Sequence, residues 1–593
     1  MLGRRRQSAP VDAGRDSGRV ESVAAIRVWA PDKTTILVRT GGADISLQPT
    51  DGGWWSGPDL APGTDYAFLI DDSDQPVPDP RSRWQPQGVH GPSRVYDDDR
   101  YEWHDQDWPG RDLSAAVIYE LHLGTFTRGA SFDSAIERLD HLVDLGVTHV
   151  EVLPVNDFNG VWNWGYDGVL WYAVHEPYGG PDGCKRFVDA AHQRGLAVLL
   201  DVVYNHLGPS GNYLSRFGPY LKDGRSTWGA LVNLEEAEVR RYVVDNALMW
   251  LREYHLDGLR LDAVHALHDG SPTHILAEVS AAVDELAGTL DRPLSLIGES
   301  DLNDPVTITP RELGGWGLTA QWDDDVHHAL HAMLTGERRG YYCDFGPPEV
   351  LAKTFTRAFL HDGTYSTFRD TIWGKPIDRH RHRGEQFVAC LQNHDQVGNR
   401  ALGERLPELA PPGMLKVGAV LLLTSPFTPM LWMGEEWAAT TRWPFFTSHP
   451  EPDLAAATGA GRLAEFAEHG WDTSKLIDPQ DPKAYYSAIL DWPEASADGH
   501  ADVLDLYRRL IELRAAEPEL RDGDLEHVAV DFDSDARWLV MHRGAFDVAV
   551  NLAAAARPIP VPPGKVVLAT AAAEPGPHGL LLAAESAAIV RAR

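Results

Sequence analysis

Cysteine is nearly missing from this chain: Cys184, Cys343 and Cys390 are the only three in 593 residues. No two of them lie close together, so neither a disulfide framework nor a C-x-x-C metal site can be built, and reduced thiols in a cytoplasmic protein are expected. Positive charge is also in short supply. Lys and Arg number 53 against 87 Asp and Glu, a net charge of −34. Such a surface repels nucleic acid and acidic membrane faces, which argues against both as partners and is compatible with a neutral substrate such as a sugar. No apolar run is long enough to span a bilayer. The opening MLGRRRQSAPVDAGRDSG has basic residues but no apolar stretch behind them, unlike a secretory signal. There is no H-E-x-x-H, and the adjacent His327 and His328 would point in different directions on a helix or a strand. No metal or cofactor is therefore expected; calcium at Asp201 or Asn205 is the weaker reading.

What is present divides the chain into four parts. Residues 1–21 read as a disordered lead-in. Residues 22–96 carry short strand-like runs, AAIRVWA, TTILVR and DYAFLI, separated by turn signals at Pro31-Asp32, Gly52-Gly53 and Ala61-Pro62-Gly63. A small β-sandwich resembling a carbohydrate-binding module fits them. From 97 to 495 the rhythm becomes strand, helix, strand. Eight apolar runs occur at helix-sized intervals: AAVIYEL, HVEVLPV, AVLLDVV, DGLRLDA, LSLIGES, GLTAQW, FVACLQN and TPMLWMG. Runs apolar on both faces suit a parallel (β/α)₈ barrel. An open doubly wound sheet alternates in the same way, but no G-x-G-x-x-G follows the first strand. In the first helical segment Ile136, Leu139 and Val143 share a face, with Ser131 or Asp133 as cap and Gly146 as terminator. Residues 496–593 open with a helix that keeps Val503, Leu506, Leu510 and Leu513 in phase, then alternate as an antiparallel β-domain.

Polar residues gather where the barrel strands end, which is where barrel enzymes place their chemistry. The third strand runs into DVVYNH with Asp201, Asn205 and His206. The fourth is LRLDAVH with Arg260, Asp262 and His265. The fifth ends in Glu299, and the seventh in His394 and Asp395. Singly, each has an ordinary structural explanation, such as a helix cap or a buried histidine. Together they place like charges at one end of successive strands, which packing alone gives no reason to do. Arg260 and Asp262 are two apart on one strand and point the same way. A fixed guanidinium favours a charged carboxylate, as a nucleophile requires, whereas an acid must start protonated, a state that neighbouring carboxylates favour. Two carboxyls tuned apart are the machinery of glycoside hydrolysis, and adjacent strands would allow the roughly 5–5.5 Å separation of a retaining enzyme. Aromatic residues crowd the same end, with Tyr166 and Trp228 the best candidates for stacking on sugar rings.

DVVYNH, GLRLDAVH, IGES and QNHDQ, in that order and spacing, resemble the four motif regions of the α-amylase superfamily of glycoside hydrolases. The resemblance implies Asp262 as nucleophile, Glu299 as acid/base and Asp395 as transition-state stabiliser, with Arg260, His206 and His394 holding the innermost sugar. Within the superfamily the chain is most similar to the trehalohydrolase family, through WGYDGVLWYAVHEPYGGPDG, ESDLNDP, AQWDDDVHHALHAMLTGE and LQNHDQVGNR. Gly298 departs from the Ala expected there. The expected reaction is cleavage of the α-1,4 bond next to the terminal trehalose of maltooligosyl-trehalose, with His265, Asp323, Asp324 and His327 as further substrate contacts. The rival readings are a 1,4-α-glucan branching enzyme and, from another class, a non-catalytic glycan-binding protein.

Overall fold

Each of the eight apolar runs forms a short strand, because β-branched and large aliphatic side chains fit a pleated surface buried on both sides. The strands are Ile118–Leu121, His149–Val152, Ala197–Val202, Gly258–Leu261, Ser295–Gly298, Ala320–Trp322, Phe387–Cys390 and Thr428–Trp432, called the first to the eighth below. All pair in parallel with their sequence neighbours, and the eighth pairs with the first, so the sheet closes into a barrel. This is a computed structural model, and it describes residues 24–468, 476–577 and 579–592. The expected disordered segment 1–21 lies outside the described residues.

Inside the barrel, Ile118, Leu199, Ile297, Ala320, Val388, Cys390 and Met430 pack with Leu113, Ala116 and Trp322 into an apolar plug. Two residues further along, the same strand faces carry Glu120 and Asp201, beside Glu151 and Arg260. The barrel is thus dry at one end and charged at the other.

The first helical segment departs from expectation. It splits into Phe132–Ile136 and Leu139–Leu145, and the break rotates the second helix so that Leu142 and Leu145 are buried while Val143 faces solvent. Its ends are as expected: the Ser131 side chain accepts the Ser134 N–H, and Gly146 closes the second helix at φ +92°.

Before the barrel, two antiparallel sheets enclose Ile26, Val28, Ile36, Val38, Phe68 and Ile70. After it, the helix His500–Ala516 buries Val503, Leu506 and Leu510 as the periodicity requires. A five-stranded antiparallel sheet follows, facing a three-stranded one across Val540, Ile559, Leu580, Leu582 and Val590. Buried Arg514 ties this helix to the barrel. Its guanidinium donates to the carbonyls of Leu423, Ser425, Leu520 and Phe427 at 2.8–3.1 Å.

Replacing Arg514 by Met leaves four buried carbonyls without that donor, and each unsatisfied group costs about 1–3 kcal/mol. Arg514→Met is expected to lower the calorimetric unfolding temperature while activity well below that temperature stays near wild type. An unchanged midpoint would remove Arg514 as the tie.

Candidate active site

Barrel closure brings the polar strand ends to one rim, with Arg260 at their centre. Arg260 is fully buried, and its Nη1 donates to Asp201 Oδ2 at 2.7 Å and to Asp262 Oδ1 at 2.8 Å. Its Nη2 lies 2.9 Å from Glu299 Oε2. The guanidinium carbon is 4.2 Å from the Trp322 ring centroid, a cation–π floor. Burial opposes the charge on Arg260, but Asp201 and Glu299 outweigh it and raise its pKa further. Burial also pushes Asp201 up to about 7, against the pull of Arg260.

Leaving the fourth strand, the chain turns through Ala263 at φ +41° and ψ +53°, a left-handed conformation that residues with a Cβ seldom adopt. The turn aims the Ala263 N–H at Glu299 Oε2, 2.7 Å away, while the Val264 N–H holds the Glu299 carbonyl at 2.9 Å. Asp262 Oδ2 accepts from Asn205 Nδ2 at 2.7 Å, so both of its oxygens are oriented. Among the described residues none donates to Glu299 Oε1, which is left for a substrate. At Gly298 an added Cβ would meet Thr307 Cγ2 at 2.9 Å and Leu318 Cδ2 at 3.0 Å, so glycine suits the packing behind this carboxyl.

A second set of contacts surrounds His394. Its Nε2 is 2.7 Å from the Tyr166 hydroxyl and 3.6 Å from Asp395 Oδ2, and Tyr166 in turn donates to Asp201 Oδ2 at 2.6 Å. On the other side, His394 Nδ1 is 2.5 Å from Glu120 Oε1. Burial opposes an imidazolium, yet Asp395 and Glu120 outweigh it and raise His394 to about 9. His206 is fixed at both nitrogens, by Asn205 Oδ1 at 2.5 Å and the Tyr166 carbonyl at 3.0 Å.

The remaining expected contacts divide. Trp228 is half exposed, nearly parallel to His206 at 6.2 Å between centroids and edge-on to His265 at 6.1 Å. His265 Nδ1 is 3.9 Å from Asp301, whose carboxylate also pairs with Arg369 at 3.1 Å. Asp324 lies within the electrostatic reach of Glu299 and Asp395; burial first, then those two carboxylates, push it up to about 8. Asp323 and His327 are not brought to the cleft. Asp323 is buried as the cap of helix Asp324–Thr335, accepting the Val326 N–H, and His327 points inward toward the Cys390 carbonyl and the Tyr342 hydroxyl. One helical turn separates His327 from Asp324, but the helix directs it into the core. Asp201 and Asn205, the weaker calcium candidates, are engaged by Arg260, Tyr166 and Asp262. Among the described residues no group of three His, Cys, Asp or Glu side chains is placed to hold a metal.

Sequence reasoning missed Glu120, Trp322 and Arg369. Glu120 did carry a signal, a carboxylate at an inward position of an otherwise apolar strand. Arg369 carried none, since it comes from the hairpin Thr364–Ser366/Thr371–Trp373, far along the chain from the Asp301 it meets.

A closed parallel barrel with a guanidinium bridging paired carboxyls at its rim defines a glycoside hydrolase of the α-amylase type. The family model described as alpha amylase, catalytic domain, matches residues 125–220, and one described as a domain of unknown function, DUF3459, matches residues 523–589. The chain is 54% identical to the malto-oligosyltrehalose trehalohydrolase of Arthrobacter ramosus, over 95% of this chain and 99% of that one. It is 52% identical to the Rhizobium sp. protein of the same name, over 90% and 92%. A crystal structure titled putative alpha amylase from Salmonella typhimurium superposes with a TM-score of 0.89 at 37% identity, covering 96% of this chain and 98% of that one. A 1,4-α-glucan branching enzyme of Pseudoalteromonas atlantica is more distant, at 27% over 87% of this chain and 69% of that one. The chain belongs to the malto-oligosyltrehalose trehalohydrolase family.

An acid whose pKa is raised on folding destabilises the fold increasingly as pH climbs from its ordinary value, here 3.8, to its folded value, here about 8. Asparagine carries no such penalty. The melting temperature of Asp324→Asn minus that of wild type is therefore expected to be near zero at pH 4 and to grow toward pH 8. A difference that is flat across this range would contradict the raised pKa of Asp324.

Proposed function

We propose that the chain hydrolyses the α-1,4-glucosidic bond next to the terminal trehalose of a maltooligosyl-trehalose, with retention of configuration, releasing trehalose and a malto-oligosaccharide. The observation that carries the reading is the Arg260 guanidinium within 2.9 Å of both Asp262 and Glu299, which sets the two carboxyls side by side under one substrate position.

In this mechanism the sugar at the innermost position lies over Tyr166, with His206 and His394 beside it. Glu299 gives its proton to the glycosidic oxygen as the C1–O bond breaks, and trehalose departs with that proton as a hydroxyl. Asp262 bonds to C1, and its orientation by Arg260 and Asn205 limits the search for a reactive geometry. Asp395 stabilises the oxocarbenium-like transition state by its negative charge. A water then attacks C1, passes a proton to Glu299, and displaces Asp262 as a carboxylate. Both residues return to their starting states. Trp228, His265 and Asp324 complete the substrate contacts.

The choice of a trehalose end follows the names of the relatives, while the bond-breaking chemistry follows the site. A cytoplasmic setting is part of the proposal, in keeping with three free thiols. Among the described residues no helix is long and apolar enough to cross a membrane.

Given maltotriosyl-trehalose, the protein is expected to release trehalose and maltotriose, measured by chromatography, with Asp262→Asn and Glu299→Gln each removing nearly all activity. New branch points in amylose without release of trehalose would move the assignment to glucan branching. Binding without any turnover by the wild type would leave a glycan-binding protein.

A further inference from the structure

Glu120 lies on the first barrel strand, two residues beyond Ile118 of the apolar plug. It is 1% exposed, so no substrate can touch it. Both of its carboxylate oxygens are spent on one neighbour: Oε1 is 2.5 Å from His394 Nδ1, and Oε2 accepts the His394 backbone N–H at 3.0 Å. The seventh strand ends at Cys390 and His394 opens the short helix His394–Gly398 that follows, so the two contacts fix both the start of this helix and how the His394 ring is turned. The ring is then confined by Tyr166, stacked at 5.1 Å, and by the edges and faces of Trp164, Trp322, Trp432 and Trp443. With Nδ1–H directed at Glu120, the Nε2–H points to the Tyr166 hydroxyl, and that hydroxyl donates onward to Asp201. Glu120 therefore begins a relay of hydrogen bonds that runs, through side chains only, to the carboxylate sharing Arg260 with Asp262.

We propose that Glu120 is a positioning residue of the reaction: it orients His394 and keeps it a double donor, and through it sets Tyr166 and Asp395 around the innermost sugar. The inference rests on the placement of His394 and Asp395 in the site proposed above. Its physical basis is that an imidazole held by a carboxylate has one orientation and one protonation pattern, whereas one held by a neutral acceptor has neither fixed. The charged and titratable groups facing His394 are Glu120 from the first strand, Glu151 from the second, Asp201 from the third, Arg260 from the fourth, Tyr166 and His122 from loops, and its own neighbour Asp395. Glu151 is the ladder partner of Glu120, and burial, then Glu120 itself, raise its pKa far above the carboxylate range. A neutral Glu151 leaves the Glu120–His394 attraction undiminished.

The test compares Glu120→Gln, Glu120→Asp, His394→Asn and the double variant Glu120→Gln/His394→Asn with wild type, using release of trehalose from maltotriosyl-trehalose. Glutamine keeps an acceptor near Nδ1 and removes the charge, so kcat is expected to fall on the order of ten- to a hundredfold with KM changed much less. Losing an anion lowers the pKa of His394, so the alkaline limb of kcat/KM that is absent from His394→Asn moves down by about one pH unit or more. Aspartate keeps the charge but withdraws it by about 1.5 Å, one carbon–carbon bond; kcat falls while the limb stays in place. The double variant is expected to be no slower than His394→Asn, because Glu120 acts through that ring. Glu120→Gln with wild-type kcat and an unmoved limb would overturn the proposal, as would losses that multiply in the double variant. Should Glu120→Gln fail to fold by circular dichroism, a wild-type kcat in Glu120→Asp overturns it equally. Full activity in His394→Asn would instead sink the site assignment on which the inference rests, so the two failures are distinguishable.

Discussion

One buried guanidinium holds the candidate site together. Arg260 lies beneath Asp201, Asp262 and Glu299 at 2.7, 2.8 and 2.9 Å. Three carboxyls this close, without a cation, would repel one another by several kcal/mol in a medium of low polarity. A single Arg offsets part of that repulsion, and burial, by pushing Asp201 up to about 7, lessens the rest. The planar fork of the guanidinium also fixes their relative directions, which a lysine ammonium could not do. Its position on the fourth strand, in register with Asp201 on the third and Ile297 on the fifth, makes the geometry of the site a consequence of barrel registry.

The barrel interior explains how such a cluster is tolerated. Buried charge is expensive unless paired and hydrogen-bonded. Here the apolar plug of Ile118, Leu199, Ile297 and Met430 supplies stability at one end, and the charged layer above it is cross-linked by Arg260, His394 and the hydroxyl of Tyr166. The same strands contribute to both layers, alternating by the two-residue period of the pleat. The left-handed turn at Ala263 is a further cost located at the reacting centre, and what it secures is the hydrogen bond from its N–H to Glu299.

Much of this is legible in the amino-acid sequence. All eight barrel strands lie within the apolar runs, because their two-sided burial leaves a compositional trace that survives without context. Arg260 and Asp262 were paired from their spacing alone. The run Ile136, Leu139, Val143 misled because nothing in it reveals the break between Ile136 and Leu139, and a small rotation there moves Val143 to solvent. His327 misled for another reason: helix spacing puts it near the face of Asp324, which does approach the carboxyls, but one turn further along that face meets Cys390 and Tyr342 and not the cleft. Arg369 could not be found, since its meeting with Asp301 depends on a hairpin that enters from between the sixth and seventh strands.

The shared guanidinium also bears on how one carboxyl could serve both halves of the proposed reaction. Before the bond breaks, Arg260 divides its attraction among three carboxyl groups, and Glu299 receives only part of it. Esterification of Asp262 in the covalent intermediate removes one of those negative charges. Arg260 is then shared by two groups instead of three, and its interaction with Glu299 Oε2, already supported by the Ala263 N–H, grows stronger. Once the ester is hydrolysed, Asp262 is charged again and draws the guanidinium back. Through one shared cation, the state of Asp262 is thus coupled to the surroundings of Glu299.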